Sequence, residues 1–234
     1  MSGSLYPPLN GDGPTIAILS EYDALPEIGH ACGHNVMAAS GLGRPPCAGS
    51  AHPENPDAFK GTVKCIGTPA EEGSSSKEVS GGAFKPEDMD ACIMVHAYGY
   101  NLADQVWLGR RVRNITFHGV VAHASSQPFM GRNALDAAAM AYQRLAVLRQ
   151  QVPPSDRIHA IITKGGTRQS IITEEVEMKF YVHSKYPDTL KDLSRHVENV
   201  VKGAAQMTVC GIDIEWDYSP APLGVRANDQ LVSR

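Results

Sequence analysis

Lys64-Cys-Ile-Gly-Thr-Pro-Ala-Glu-Glu-Gly73 is the stretch on which the reading of this chain turns, because an apolar run ends there and two adjacent carboxylates, Glu71 and Glu72, follow at its exit. Neighbouring like charges repel and raise each other's pKa unless something positive lies between or beside them. A metal ion is the simplest such group. Matching donors stand elsewhere: Cys32 and His34 in His30-Ala-Cys-Gly-His-Asn35, and His96 at the end of Ala91-Cys-Ile-Met-Val-His96. Three brief apolar or β-branched runs, Thr15 to Leu19, Thr62 to Ile66 and Ala91 to Val95, read as short buried strands, each with a polar residue just past its end. Ligands of open α/β sheets gather outside the carboxyl ends of the strands, so Asp23, Glu71, Glu72 and His96 are expected on one rim. Asn35 to Leu42 reads as a short helix. Gly43, Pro45, Pro46 and Gly49 oppose its extension, and Arg44 to Pro56 is expected as irregular loop.

From Arg111 the pattern becomes a compact series. Strand Asn114 to Gly119 leads to helix Asn133 to Gln151, strands Arg157 to Thr163 and Glu174 to His183, helix Asp188 to Met207 and strand Asp213 to Tyr218. This β-α-β-β-α-β order is the ferredoxin-like split unit. Leu190, Leu193, Val197, Val200, Val201 and Ala204 recur at helical spacing, Asn133 and Asp188 are candidate amino-terminal caps, and Gly165-Gly166 is expected as a tight connection between the middle strands.

The composition is that of a globular chain with room for a sizeable core: 234 residues, 42% hydrophobic. Net charge is −4, and Lys and Arg are scattered without a basic stripe, which argues against nucleic acid or an anionic membrane as partner and for a small-molecule substrate. Five cysteines in an odd, widely spaced set with no CxxC pair fit a reducing compartment, so a cytoplasmic location is expected. No cationic and apolar leader is visible at the start, and no apolar run approaches the roughly 20 residues of a membrane span.

Together, Glu21-Tyr-Asp-Ala-Leu-Pro26, Gly29-His-Ala-Cys-Gly-His-Asn35, Gly67-Thr-Pro-Ala-Glu-Glu-Gly73, Met94-Val-His96 and Gly119-Val-Val-Ala-His-Ala-Ser-Ser-Gln-Pro128 resemble metallopeptidase family twenty. This is the aminoacylase and carboxypeptidase group, and its branch with Ala-Cys-Gly-His includes hippuricases and the indole-acetyl-amino-acid and aminobenzoyl-glutamate hydrolases. The resemblance runs from about Pro14 to about Tyr218. It implies a zinc-peptidase-like α/β catalytic domain, incomplete here, over residues 1–111, with an inserted ferredoxin-like α+β dimerisation lid over 112–218 and the start of a returning catalytic segment over 219–234. By the same resemblance Cys32, His34, Glu72 and His96 are ligands of a two-ion zinc site, with cobalt or manganese as alternatives. Glu71 matches the general base, Asp23 the carboxylate that orients a ligating group, and His123 the lid histidine that reaches the partner subunit's site and stabilises an oxyanion. The implied activity is metal-dependent hydrolysis of the amide bond of N-acyl amino acids or small peptide-like substrates, by a homodimer joined through its lids.

Two other hydrolase chemistries account for less. Ser125 and Ser126 lack the Gly-x-Ser-x-Gly elbow of a serine hydrolase, and a thiol hydrolase built on Cys32 and His34 leaves Glu71 and Glu72 without a task. The family's catalytic domain resumes after the lid to supply a further histidine ligand, whereas Ser219 to Arg234 contains none, and the family's Asn-Val-Ile-Pro stands here as Ser170-Ile-Ile-Thr173. Both ends therefore read as truncated. The alternative function is a catalytically incompetent member that acts only as a dimerising interaction module.

Overall fold

The computed structural model describes residues 13–50, 61–74, 85–216 and 223–233, and the chain divides into two compact units, 1–101 and 102–234. The architecture is mixed α/β.

In the first unit, β1 (Thr15–Glu21) is the middle strand of three, flanked by β2 (Thr62–Thr68) and β3 (Ala91–Met94), all parallel. Ile18 lies opposite both Cys65 and Ile93, and Glu21 lies opposite Thr68, so the strands end at nearly one level. That register is what lets residues distant in sequence share a rim. Helix α1 (His34–Ser50) packs on β1, burying Met37, and it approaches so closely at Gly41 that a Cβ there would lie 1.8 Å from Ser20 Oγ.

Helix α1 runs through Gly43, Pro45 and Pro46, against the expectation of an early stop and a loop from Arg44; residues 51–56 of that expected loop lie outside the described residues. Pro45 has no N–H to offer the carbonyl of Gly41, four residues back. That carbonyl instead accepts a hydrogen bond from the Cys65 thiol of β2, at 3.7 Å. A tertiary donor thus replaces the one that proline removes.

In the second unit, β4 (Gly109–His118), β6 (Arg157–Lys164), β8 (Glu175–Ser184) and β9 (Gly211–Trp216) form an antiparallel sheet in the order β6-β8-β4-β9. Helices α3 (Ala134–Leu148) and α4 (Pro187–Met207) contribute to its core. Strand β8 alternates buried and exposed positions along its length, sending Val176, Met178, Phe180 and Val182 inward. Helix α3 meets them with Ala134, Ala137, Ala138 and Ala141, and α4 with Leu190, Leu193, Val197, Val201 and Ala204. Val200 is only partly buried.

Asn133 caps α3 as expected, its side chain accepting from Leu135 N. Asp188 does not cap α4. The cap position is Tyr186, without a side-chain bond, because Pro187 takes the first helical position and moves the cap two residues upstream. Nor is Gly165-Gly166 a tight hairpin: the chain makes an excursion through β7 (Ile171–Ile172), which pairs with β5 (Ala122–His123), before entering β8. Among the described residues no helix is long and apolar enough to cross a membrane.

His183 on β8 lies directly opposite Arg110 on β4 and Arg157 on β6. Burial, then Arg110, then Arg157, push its pKa below the ordinary 6.5. A folded pKa below the unfolded value means that the unfolded chain binds the extra proton first, so stability is lost as pH falls through about 6.5. Thermal unfolding followed against pH is expected to show a falling midpoint through that window, and His183→Gln is expected to flatten the slope.

Candidate metal centre

The first unit delivers seven polar residues to the ends of its three strands. Glu21 closes β1 and Asp23 follows two residues later. Cys32 and His34 come from the loop that leads into α1, Glu71 and Glu72 open the short helix α2 (Glu71–Ser74) beyond β2, and His96 lies beyond β3. Two local constraints shape this rim. Gly33, at φ +87, lets Cys32 and His34 pass so close to the β3 exit that a Cβ would lie 2.7 Å from Ala97 Cβ. Ala70, at φ 57, turns the chain between β2 and α2, holding a left-handed conformation that is uncommon for a residue with a side chain.

His34 is the centre of the arrangement. It is 1% exposed, and Met37 one turn later is buried beneath the same helix end. Its Nδ1 lies 3.0 Å from Asp23 Oδ1, while Asp23 Oδ2 accepts from the Glu72 backbone N–H at 2.9 Å. A carboxylate can only accept, so Nδ1 donates to Asp23. Nε2 has no hydrogen-bond partner among the described residues, although Glu21 Oε2 stands 3.0 Å away and Glu72 Oε1 3.9 Å away. In His96, Nδ1 donates to the Ala97 carbonyl at 2.8 Å, while Nε2 is hydrogen-bonded to Cys32 Sγ at 3.6 Å and lies 3.9 Å from Glu21 Oε2.

The donor atoms of Cys32, His34 and His96 all lie within 4.8 Å of one another, and so do those of Glu21, His34 and Glu71. Thiolate, imidazole and carboxylate are the donor types that zinc accepts together. A buried imidazole nitrogen and carboxylate oxygens that face one another without a hydrogen bond are costly unless a cation sits among them. The residues present therefore fit a divalent metal.

The electrostatics agree. Burial, followed by Glu72, Glu71 and Glu21, pushes the Cys32 thiol up to about 11. Burial would also raise the Asp23 carboxyl, but the Glu72 N–H and His34 outweigh it and hold the group below its ordinary value. A carboxylate kept ionised beside a ligating histidine fixes its ring and tautomer.

Of the residues singled out in the sequence, Cys32, His34, Glu71, Glu72, His96 and Asp23 are thus brought together in one unit. His123 lies in the other, on β5, exposed; Ser125 N at 3.3 Å, Ser125 Oγ at 3.2 Å and Ser126 N at 3.3 Å surround its Nδ1. Two backbone N–H groups aimed at Nδ1 leave the proton on Nε2. Sequence reading missed Glu21. Its signal was faint: an acidic residue closing an apolar strand, two positions before Asp23 and hence on the same side of an extended chain.

Comparison with known proteins matches residues 17–228 to the model of peptidase family M20/M25/M40. Xaa-Arg dipeptidase from Mus musculus is 38% identical over 216 residues, which is 89% of this chain and 49% of the relative. A p-aminobenzoyl-glutamate hydrolase chain of Escherichia coli (strain K12) is 28% identical, over 87% of this chain and 46% of its own length. The chain spans about half the length of these curated relatives. A dinuclear metal-binding peptidase of family M20 from Bacillus subtilis shares the fold with a TM-score of 0.58 at 19% identity, covering 95% of this chain and 61% of that one. With residues 17–228 of the chain matched by the family model, and the donors gathered at the ends of three parallel strands, this chain belongs to peptidase family M20/M25/M40.

Proposed function

We propose that the chain carries the metal centre of a metal-dependent amidohydrolase or dipeptidase acting on N-acyl amino acids or small peptide-like amides. The observation that carries this reading is His34 Nε2, buried, facing Glu21 and Glu72 with no hydrogen-bond partner among the described residues. Cys32, His34, Glu72 and His96 would hold the metal, zinc by donor type, with two ions in the complete site. When bound, the metal supplies Lewis-acid polarisation of an amide carbonyl and acidifies water at neutral pH.

Glu71 takes a proton from the attacking water and returns it to the departing amine, a task suited to a carboxylate placed at the strand exit beside His34. Asp23 orients His34 through Nδ1 and, by accepting from the Glu72 N–H, ties the two sides of the site together. His123, whose Nδ1 accepts from the Ser125 and Ser126 N–H groups, is suited to stabilising an oxyanion in the partner subunit's site. The names of the relatives support Xaa-Arg dipeptides and aminobenzoyl-glutamate as the first substrates to test. Cys32, Cys65, Cys92 and Cys210 stand as thiols outside any disulfide, which supports a cytoplasmic setting.

The second unit supports a reading as the family's ferredoxin-like dimerisation lid. Its strand and helix order is that of the split β-α-β unit, and β6 is an edge strand with Ile161 and Ile162 exposed. A homodimer through β6 and α3, where Met140, Tyr142 and Val147 are also exposed, would cover that edge.

Glu71→Gln is expected to lower turnover of these amides by about 100-fold or more while leaving the zinc content per chain unchanged. Equal turnover by the variant and the wild type would reject the enzyme and leave the dimerising module. Sedimentation equilibrium at micromolar concentration is expected to give a dimer, and Ile161→Lys, which puts a charge on the edge, a monomer. A monomeric wild type would reject the lid assignment.

A further inference from the structure

We propose that Glu21 is itself a metal ligand, its Oε2 binding a divalent cation together with His34 Nε2. This rests on the metal-dependent reading and adds a donor that the family resemblance does not assign.

The argument starts from the two histidines. Asp23 holds His34 Nδ1 and the Ala97 carbonyl holds His96 Nδ1, so each ring turns its Nε2 toward Glu21. Glu21 Oε2 is the atom both face, 3.0 Å from His34 Nε2 and 3.9 Å from His96 Nε2. With metal–nitrogen and metal–oxygen bonds near 2.0–2.1 Å, ligand atoms around a tetrahedral zinc lie about 3.3 Å apart. The two spacings bracket that value. The Cys32 Sγ to His96 Nε2 spacing of 3.6 Å is also close to the about 3.5 Å expected when one ligand is sulfur.

Glu21 is 1% exposed, so its carboxylate does not gain its stability from bulk water. It closes the central strand, with β2 on one side and β3 on the other, and Glu71 lies within 4.8 Å of both it and His34. A carboxylate needed only to orient His34 would address Nδ1, and Asp23 already does so. Glu21 addresses the other nitrogen, the one that ligates.

The test uses the full chain, stripped with a chelator and titrated with cobalt(II) in competition with a chromogenic chelator. Sulfur-to-cobalt charge transfer reports Cys32, and the ligand-field bands report the number and kind of the remaining donors. Asp23→Asn, which removes an orienting group, should weaken cobalt binding by roughly 10–100-fold and leave the bands in place. Glu21→Gln should weaken it further and shift the ligand-field bands while the charge-transfer band survives at saturation. Wild-type affinity and unchanged bands in Glu21→Gln would overturn the assignment and leave the metal centre standing. A wild type that binds no cobalt would overturn the metal centre and this ligand together. Should circular dichroism show Glu21→Gln unfolded, Glu21→Asp, which keeps the charge and withdraws the oxygen by one methylene, takes its place: weakened binding with shifted bands supports the ligand, and wild-type behaviour overturns it.

Discussion

A buried imidazole that must face carboxylates is the constraint around which the first unit is organised. His34 cannot avoid them: Asp23 takes one nitrogen, and Glu21 and Glu72 stand before the other. Removing such charges from water costs several kcal/mol per ion unless something opposite in sign lies among them. The fold meets that demand by topology. Parallel strands in register end at the same level, so Glu21, Glu71, Glu72 and His96, spread over 76 positions of sequence, arrive at one rim. An antiparallel hairpin would have sent alternate exits to opposite ends of the sheet.

The same demand explains why α1 is seated so closely. His34 begins the helix, and its ring position is only as well defined as the contact between that helix and β1. Gly41 removes the side chain that would hold helix and strand apart, and Cys65 answers the carbonyl that Pro45 leaves without its helical donor. Cys65 also lies 3.5 Å from Ser20 Oγ, on the strand that ends in Glu21. Two cysteines in one unit therefore do different work. Cys65, buried among backbone and hydroxyl groups, fastens helix to sheet, while Cys32, in a loop among carboxylates, faces the donors.

Periodicity made much of this legible in the sequence. Alternation in β8 and the helical spacing of Leu190, Leu193, Val197 and Val201 are local patterns that burial enforces, and they stand in the structure as the sequence suggests. What escaped were features decided by contacts distant in sequence. Proline in α1 is tolerated because a strand supplies a donor; Gly165-Gly166 opens an excursion because β7 finds β5; Asp188 yields to Pro187, whose fixed φ suits the first helical position. For the site, donor residue types and their order were enough to nominate Cys32, His34, Glu72 and His96. Glu21 could not be told from an ordinary strand-ending acid until His34 Nε2 was seen facing it.

Cys32 shows why these donors act as a set rather than as separate ligands. Left to burial and to Glu72, Glu71 and Glu21, its thiol is held protonated, since its pKa is pushed up to about 11. The carboxylates that oppose the thiolate are the ones that attract a dication, so the penalty reverses sign once positive charge enters. Binding of such an ion would couple to release of the thiol proton, and each donor's contribution would depend on the others being present. A monovalent ion would offset too little of that negative charge. Hard ions that avoid sulfur would leave Cys32 as an idle thiol, so a cation using the whole donor set would have to accept thiolate as well as carboxylate.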